Sequence, residues 1–289
     1  QLCHENNMLL IVDQAHGAHL GFNENFPKSA VEDADEDEIK ITLTGGDLAA
    51  NIALGRDATV IIDGNVQYLN KVSANTIINE GKTLDTSANN IKGYITNDGT
   101  LNIRGGVLDI NDNETYVSQA VHGSGAEGIN GTINLYGDLN VRYGQLLALS
   151  INITQGASVT TSAFGLRVRG PEGLEPNSIV NDGELIFTTG ILYGNYAKSV
   201  IGSGHIVARG GAIEIDAPVY QDINVETGNL IMHSSAIKDD VVVNDGAYLS
   251  IVDDGTVANT AKISGDGTAR FVSRDNAASG YTITSDAEI

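Results

Sequence analysis

The sequence predicts a mainly β protein, a parallel β-helix (β-solenoid) of short stacked coils, and three observations carry that prediction. Glycine-bearing turn signals recur at close to one interval along most of the chain. The side chains two and four places beyond the turn glycine are apolar, as they are when both lie on one face of a strand. The composition agrees: 34 Gly, 4 Pro and no Trp in 289 residues, with 41% hydrophobic residues, favours many short strands with a real core over long helices.

The turn signals are NEG (79–81), NDG (97–99), YGD (136–138), NDG (181–183), GSG (202–204), TGN (227–229), NDG (244–246) and GDG (265–267). Gly81 to Gly99 spans 18 residues, Gly183 to Gly204 spans 21, Gly204 to Gly228 spans 24, Gly228 to Gly246 spans 18 and Gly246 to Gly267 spans 21. An interval near ~20 is the length of one solenoid coil. Six of the eight turns obey the offset rule, with Leu101 and Ile103, Leu139 and Val141, Leu185 and Phe187, Ile206 and Ala208, Leu230 and Met232, and Ala269 and Phe271. After Gly81 and Gly246 the apolar positions, Leu84 and then Leu249 with Ile251, fall one place late, as a bulge or a longer turn would make them.

A longer match supports the same frame. Residues 97–110, NDGTLNIRGGVLDI, align with 202–215, GSGHIVARGGAIEI, at a separation of 105 residues, five coils of 21. The shared Arg-Gly-Gly predicts a tight corner, since glycine adopts positive φ without steric cost. Stacked corners would place Asn97, Asn181 and Asn244 in hydrogen-bonded ladders. About 250 residues at ~20 per coil give roughly 12 coils and, at ~4.8 Å each, a rod about 60 Å long.

The first residues read differently. Residues 1–31 hold the compact apolar run Met8 to Val12 ending at Asp13, typical of a buried parallel strand, a short fragment of α/β origin. The string CHENNMLLIVDQAHGAHLGF with a following FPKSA resembles the pyridoxal-phosphate (PLP) dependent Orn/Lys/Arg decarboxylases of the aminotransferase-like fold. By that resemblance Asp13 matches the residue that pairs with the protonated pyridine nitrogen and His16 matches one that reaches the cofactor's phenolic oxygen. The family's Schiff-base lysine sits in an S-x-H-K segment, and Lys40 has neither the Ser nor the His before it. The reading is an inactive decarboxylase-like fragment, with no working cofactor, joined through an acidic linker (32–40, opening EDADEDE) to a solenoid domain (41–289). The chain does not begin with Met, and further sequence is expected ahead of Gln1.

Formal charge is −21, from 37 acidic against 16 basic residues, which argues against nucleic-acid partners and anionic lipid. Arg167 and Arg169 read as a solvated strand face. No apolar run approaches a membrane span. One cysteine, Cys3, gives no intrachain disulfide, and no Cys/His spacing suggests a metal site.

The solenoid region resembles the Gly/Asn-rich parallel β-helix repeats of bacterial adhesins and autotransporter passengers, in the style of INEGKTL, ITNDGTLNI and IVNDGELIF. That resemblance implies a non-catalytic scaffold at the cell surface or outside the cell, with a glycan or a surface protein as partner. Tyr136, Tyr143, Tyr193 and Tyr196 are the candidate sugar-stacking residues. The alternative is a glycan-active β-helix enzyme, a lyase or hydrolase. Its acids would come from pairs such as Asp239 with Asp240 or Asp253 with Asp254, but those sit at expected turns. Arg104 and Arg209 fall at equivalent repeat positions, which suits a structural corner better than a catalytic group. His122, His205 and His233 have no nucleophile at motif spacing and read as solvated or capping residues. A remnant of a PLP decarboxylase is the third reading.

Overall fold

The computed structural model describes residues 39–54, 58–110, 119–124, 130–169, 177–252 and 260–272. Over these the chain winds into a parallel β-solenoid of about 10 turns without an α-helix. All the paired strands run parallel, because each coil brings the chain back in the same direction over the coil before it. Ile39 and Lys40, which the sequence reading places in the linker, pair with Ala58 and Thr59 as part of the strand Ile39–Leu43. No helix among the described residues is long and apolar enough to cross a membrane.

Three faces form the wall. The first is a sheet of seven strands, from Ile39–Leu43 through Asn75–Ile78 and Ile95–Asn97 to Gln145–Ala148 and Leu166–Val168. The second stacks Thr83–Thr86 beneath 100–103, 132–135, Ser150–Ile153, Ile179–Asn181 and Val200–Ile201, and continues by single bridges to Val219 and Ile237. The third stacks 106–109, 138–141, Ser158–Thr161, Glu184–Phe187, 205–208, 223–225, Val241–Val243 and Ile263–Ser264. In the later coils Gly190–Leu192 follows the third face and carries 213–215, 229–233, Tyr248–Val252 and Thr268–Val272. This set rises from the end of the first face, where Ala163 N–H bonds to Thr189 O (2.7 Å) and Val168 N–H to Tyr196 O (2.7 Å).

The strand pattern follows from alternation. Leu101, Ile133, Ile151, Ile179, Val200, Val219 and Ile237 lie one above another on the inner side of the second face, each fully buried. Leu139, Val159, Leu185, Ile206, Ile223 and Val241 do the same on the third. Each such side chain removed from water is worth ~1.5–3 kcal/mol, and a stack repeats that gain in every coil. At the last described strand, Thr268–Val272, the offset rule holds less well. Ala269 is partly buried against the core, while Phe271 remains 38% exposed on this last described rung.

The expected Arg-Gly-Gly corners are present. The strands Thr100–Asp109 and His205–Ile215 each pass through two faces, turning at Gly105-Gly106 (φ 64° and 99°) and at Gly210 (φ 134°). At Gly228 a Cβ would lie 1.5 Å from Gly210 O, so that corner requires glycine on space alone.

The equivalence of the two matched segments does not hold. Leu101 belongs to the inner column of the second face and Ile206 to that of the third, so Arg104 and Arg209 stand at different corners. The turn glycines drift in the same way. Gly81 and Gly99 lie between the first and second faces, Gly137, Gly183 and Gly204 between the second and third, and Gly228, Gly246 and Gly267 beyond the third. A period near one coil therefore persists while the repeat slips from face to face, and a separation of 105 residues does not end at the corner where it began.

The slip also separates the three NDG asparagines. Asn97, Asn181 and Asn244 occupy three different columns and form no ladder with one another. Asn97 and Asn181 point inward and are fully buried, aligned with Ile78 and Ile153 of the coils below. Asn244 follows the inward Val243 and is exposed. Its turn has one extra step, closed by Ala247 N–H to Asn244 O (2.9 Å) with Gly246 at φ 77°. The NEG turn closes likewise, Lys82 N–H to Asn79 O (3.0 Å) with Gly81 at φ 71°. That longer turn is why Leu84 and Leu249 arrive one residue late.

Candidate functional site

The outward side chains bond chiefly to the coil above or below. On the second face Asn102, Asn134 and Asn152 stack in register. Asn134 Nδ2 donates to Asn102 Oδ1 (2.9 Å) and Asn152 Nδ2 to Asn134 Oδ1 (2.8 Å). Beside this ladder, Ser178 and Ser199 share a 2.6 Å hydroxyl contact. The sequence carries the signal as a recurring [Ser/Thr]-apolar-Asn-apolar string at 100–103, 132–135 and 150–153. Uneven spacing hides it, since the steps are 32 and 18 residues. Asn152, which opens the string N-I-T, is thus committed to the ladder.

The two corner arginines are ion-paired. Arg104 grips Asp85 on the preceding coil with two bonds of 2.6 Å, and Arg209 Nε donates to Glu226 on the following coil at 2.6 Å. Arg209 holds the Glu226 carboxyl below its usual range, against the opposing effect of burial. Both pairs fasten one coil to the next, and both guanidinium heads are exposed, where such pairs stabilise modestly.

The four candidate tyrosines do not form one surface. Tyr136 lies under Arg104, whose guanidinium carbon is 4.9 Å from the ring centroid. Tyr143 pairs in register with Asp109 at the far end of its strand. Tyr193 and Tyr196 do meet, edge to face at 5.1 Å. Arg167, read from sequence as solvated, covers the Tyr196 ring at 4.0 Å and reaches Gln145 Oε1 at 3.4 Å. A ring face covered by arginine is closed to a sugar, so Tyr136 and Tyr196 each lose one stacking surface. The sequence reading passed over Tyr220, at 53% the most exposed large hydrophobic among the described residues.

The histidines divide. His205 faces Glu184 (3.3 Å) on the surface. His233 is buried rather than solvated, with Nε2 3.4 Å from Glu214 Oε1 and Nδ1 3.7 Å from Asp216 Oδ1 on opposite sides of the ring. His122 Nδ1 contacts Gly123 O at 2.9 Å. Of the carboxylate pairs, Asp239 and Asp240 accept backbone N–H groups, from Asp240 (3.0 Å) and Lys262 (2.8 Å) respectively. Asp253 and Asp254, and the Asp13 and His16 matched to PLP positions, lie outside the described residues. Among the described residues no group of three or more His, Cys, Asp or Glu is placed to hold a metal ion.

The best-built polar sites are the two inward NDG corners. Asp182 Oδ1 accepts from both Ser203 N–H (2.8 Å) and Ser203 Oγ (2.9 Å). Asp98 accepts Ser124 N–H (2.8 Å), Ser124 Oγ (2.6 Å) and Asn130 Nδ2 (3.0 Å). In each case a Gly-Ser pair in the next coil, Gly123-Ser124 or Gly202-Ser203, meets the aspartate of NDG. These carboxylates are tied to structural donors of the next coil. No protein-family model, curated protein or solved structure matches the chain.

Proposed function

We propose that the chain is a non-catalytic solenoid scaffold of a surface or secreted protein, binding glycan or protein through repeated weak contacts along its outer faces. What supports this is the pairing pattern: the outward Asn, Asp, Glu and Arg groups described above are bonded within the wall, coil to coil, and do not converge on a common point. Chemistry on a glycosidic bond needs two carboxylates facing one space. A wall of stacked rungs instead offers repeated contacts along its length, whose strength comes from multivalency. The surplus of negative charge directs the partner class away from nucleic acid.

The test is incubation of the purified chain with neutral and uronate-containing polysaccharides, with and without calcium, following unsaturated products and reducing ends. Retention without turnover is expected. Turnover abolished by replacing one Asp or Arg overturns the scaffold reading in favour of the enzyme. In the same reading residues 1–31 are an inert decarboxylase-like fragment. With PLP added, no internal-aldimine band near ~420 nm should form, because that band requires a Schiff-base lysine; a band that borohydride fixes to Lys40 would contradict this.

A further inference from the structure

Most rungs of the first face, Ala58–Ile62, Asn75–Ile78, Ile95–Asn97 and Gln145–Ala148 among them, carry no charged side chain, and the second face shares this over part of its length. On five successive rungs, 100–103, 132–135, 150–153, 178–181 and 199–201, it carries no ionisable side chain, in a chain of net charge −21. Its central outward column rises from Asp85, which Arg104 holds, into the amide ladder Asn102, Asn134, Asn152. It then turns apolar through Val180 and the 37% exposed Ile201. Tyr220 follows: Tyr220 N–H bonds to Val200 O (3.0 Å), seating its side chain on the rung beyond Ile201, and Lys238 stands one rung further, its N–H on Val219 O (3.2 Å).

From Asn102 to Tyr220 the column spans six rungs, about 24 Å at ~4.8 Å per step. The middle carboxamide, Asn134, spends one N–H on Asn102 and one oxygen lone pair on Asn152. An amide has two of each, so one donor and one acceptor remain for a ligand. The ladder bonds hold each carboxamide in one orientation, lowering the entropy cost of using it.

We infer that this strip is the binding site for a neutral, linear polysaccharide lying along the solenoid axis, its hydroxyls on the amide ladder and an apolar sugar face on Ile201 and Tyr220. The inference rests on the scaffold reading and narrows it to one partner. Charge complementarity selects the ligand: an uncharged polyol meets no repulsion here, whereas a uronate polymer meets the acidic chain with basic side chains only at the margins, Arg104 held by Asp85, Lys198 before Ser199 and Lys238 beyond Tyr220. Hydroxyl-to-amide bonds give orientation, and a ring with a polar tip gives stacking area.

The experiment is calorimetry of the full chain with cellohexaose, chitohexaose and a galacturonate hexamer. At least one neutral oligomer should bind and the galacturonate should not. Asn134→Asp should weaken binding about tenfold, the equivalent of one to two lost neutral hydrogen bonds. Tyr220→Ala, at an exposed position that leaves the core intact, should weaken it about fivefold. Tyr248→Ala, at a 46% exposed position on another face, should leave it unchanged, with thermal melts confirming that all three variants fold. Unchanged affinity in both strip variants, or loss of affinity in Tyr248→Ala, moves the contact elsewhere and overturns the strip while the scaffold reading stands. Failure of both neutral oligomers to bind also overturns it and leaves a protein as the scaffold's partner. Cleavage of any oligomer removes the scaffold reading itself.

Discussion

The corners at 181–183 and 244–246 have the same tripeptide, Asn-Asp-Gly, and opposite structures. In the first, Asn181 is fully buried and its Nδ2 donates to Gln221 Oε1 (2.9 Å) and His205 O (3.0 Å). Gln221 Nε2 returns a 2.5 Å bond to Asn181 O. In the second, Asn244 is exposed, and only its backbone closes the turn. What differs lies one coil away. Gly202-Ser203 stacks on Asn181-Asp182 and supplies two donors to Asp182, whereas Gly265-Asp266 follows Asn244-Asp245 and offers a second carboxylate. A local motif here is read by its neighbour in space, some twenty residues on.

The largest effect should come from the buried asparagines. Asn181→Ala leaves Gln221 Oε1 and His205 O without their amide donor inside the wall and should cost ~2–3 kcal/mol, since buried polar groups lose a partner. Asn97 is buried too, but its Oδ1 has no hydrogen-bond partner and its amide makes one bond, to Thr132 O (3.0 Å). Asn97→Ala should therefore cost ~1 kcal/mol. Asn244→Ala should stay within ~0.5 kcal/mol. Urea midpoints of the three variants check that order; equal losses at Asn181 and Asn244 would erase the distinction.

The glycines should separate next. Gly246 has φ 77° with open space around its Cβ position, so Gly246→Ala should cost ~1–2 kcal/mol of backbone strain. Gly183 is free of that strain, but a Cβ there would lie 2.3 Å from Ala157 O. Gly183→Ala must push two coils apart and should be the worse of the pair in thermal unfolding.

The smallest effect is in acid. The Ser203 N–H, then the Ser203 hydroxyl, hold Asp182 below the usual carboxylate range. For Asp98 burial pulls upward, and Ser124, Asn130 and nearby His122 outweigh it, so it too is lowered. A carboxyl whose folded pKa is depressed binds its proton more readily once unfolded. It adds stability above the unfolded value of ~3.9, and that stability is lost as pH falls through the folded one. Ser203→Ala keeps the backbone donor and should raise the Asp182 pKa part of the way to normal, measured by NMR titration. No change would mean that the hydroxyl contributes nothing.

The coil and its inward residues were legible because alternation and turn glycines act locally. Leu101 with Ile103 and Leu185 with Phe187 are buried as the offset rule requires. The corner to which each turn belongs was not legible, because an interval of 18 or 21 residues looks alike whichever corner it joins. That is why Arg104 and Arg209, and the three NDG asparagines, were grouped wrongly. The Arg167–Tyr196 contact and the Asn102–Asn134–Asn152 ladder escaped for a related reason: insertions between coils stretch the spacing of residues that are neighbours in space.

The Asn181–Gln221 pair joins residues 40 apart, across the whole of the intervening coil, and passes where Gly202 has no side chain to block it. Stacked repeats ordinarily feel only their immediate neighbours and fray from the ends one unit at a time. A bond that skips a coil adds coupling at second range, so the three coils around Gly202 open as one block. In hydrogen exchange their amides would share a single, slow opening, and an opening that spreads from the strand Thr268–Val272 toward lower residue numbers would halt at that block before reaching the amide ladder behind it.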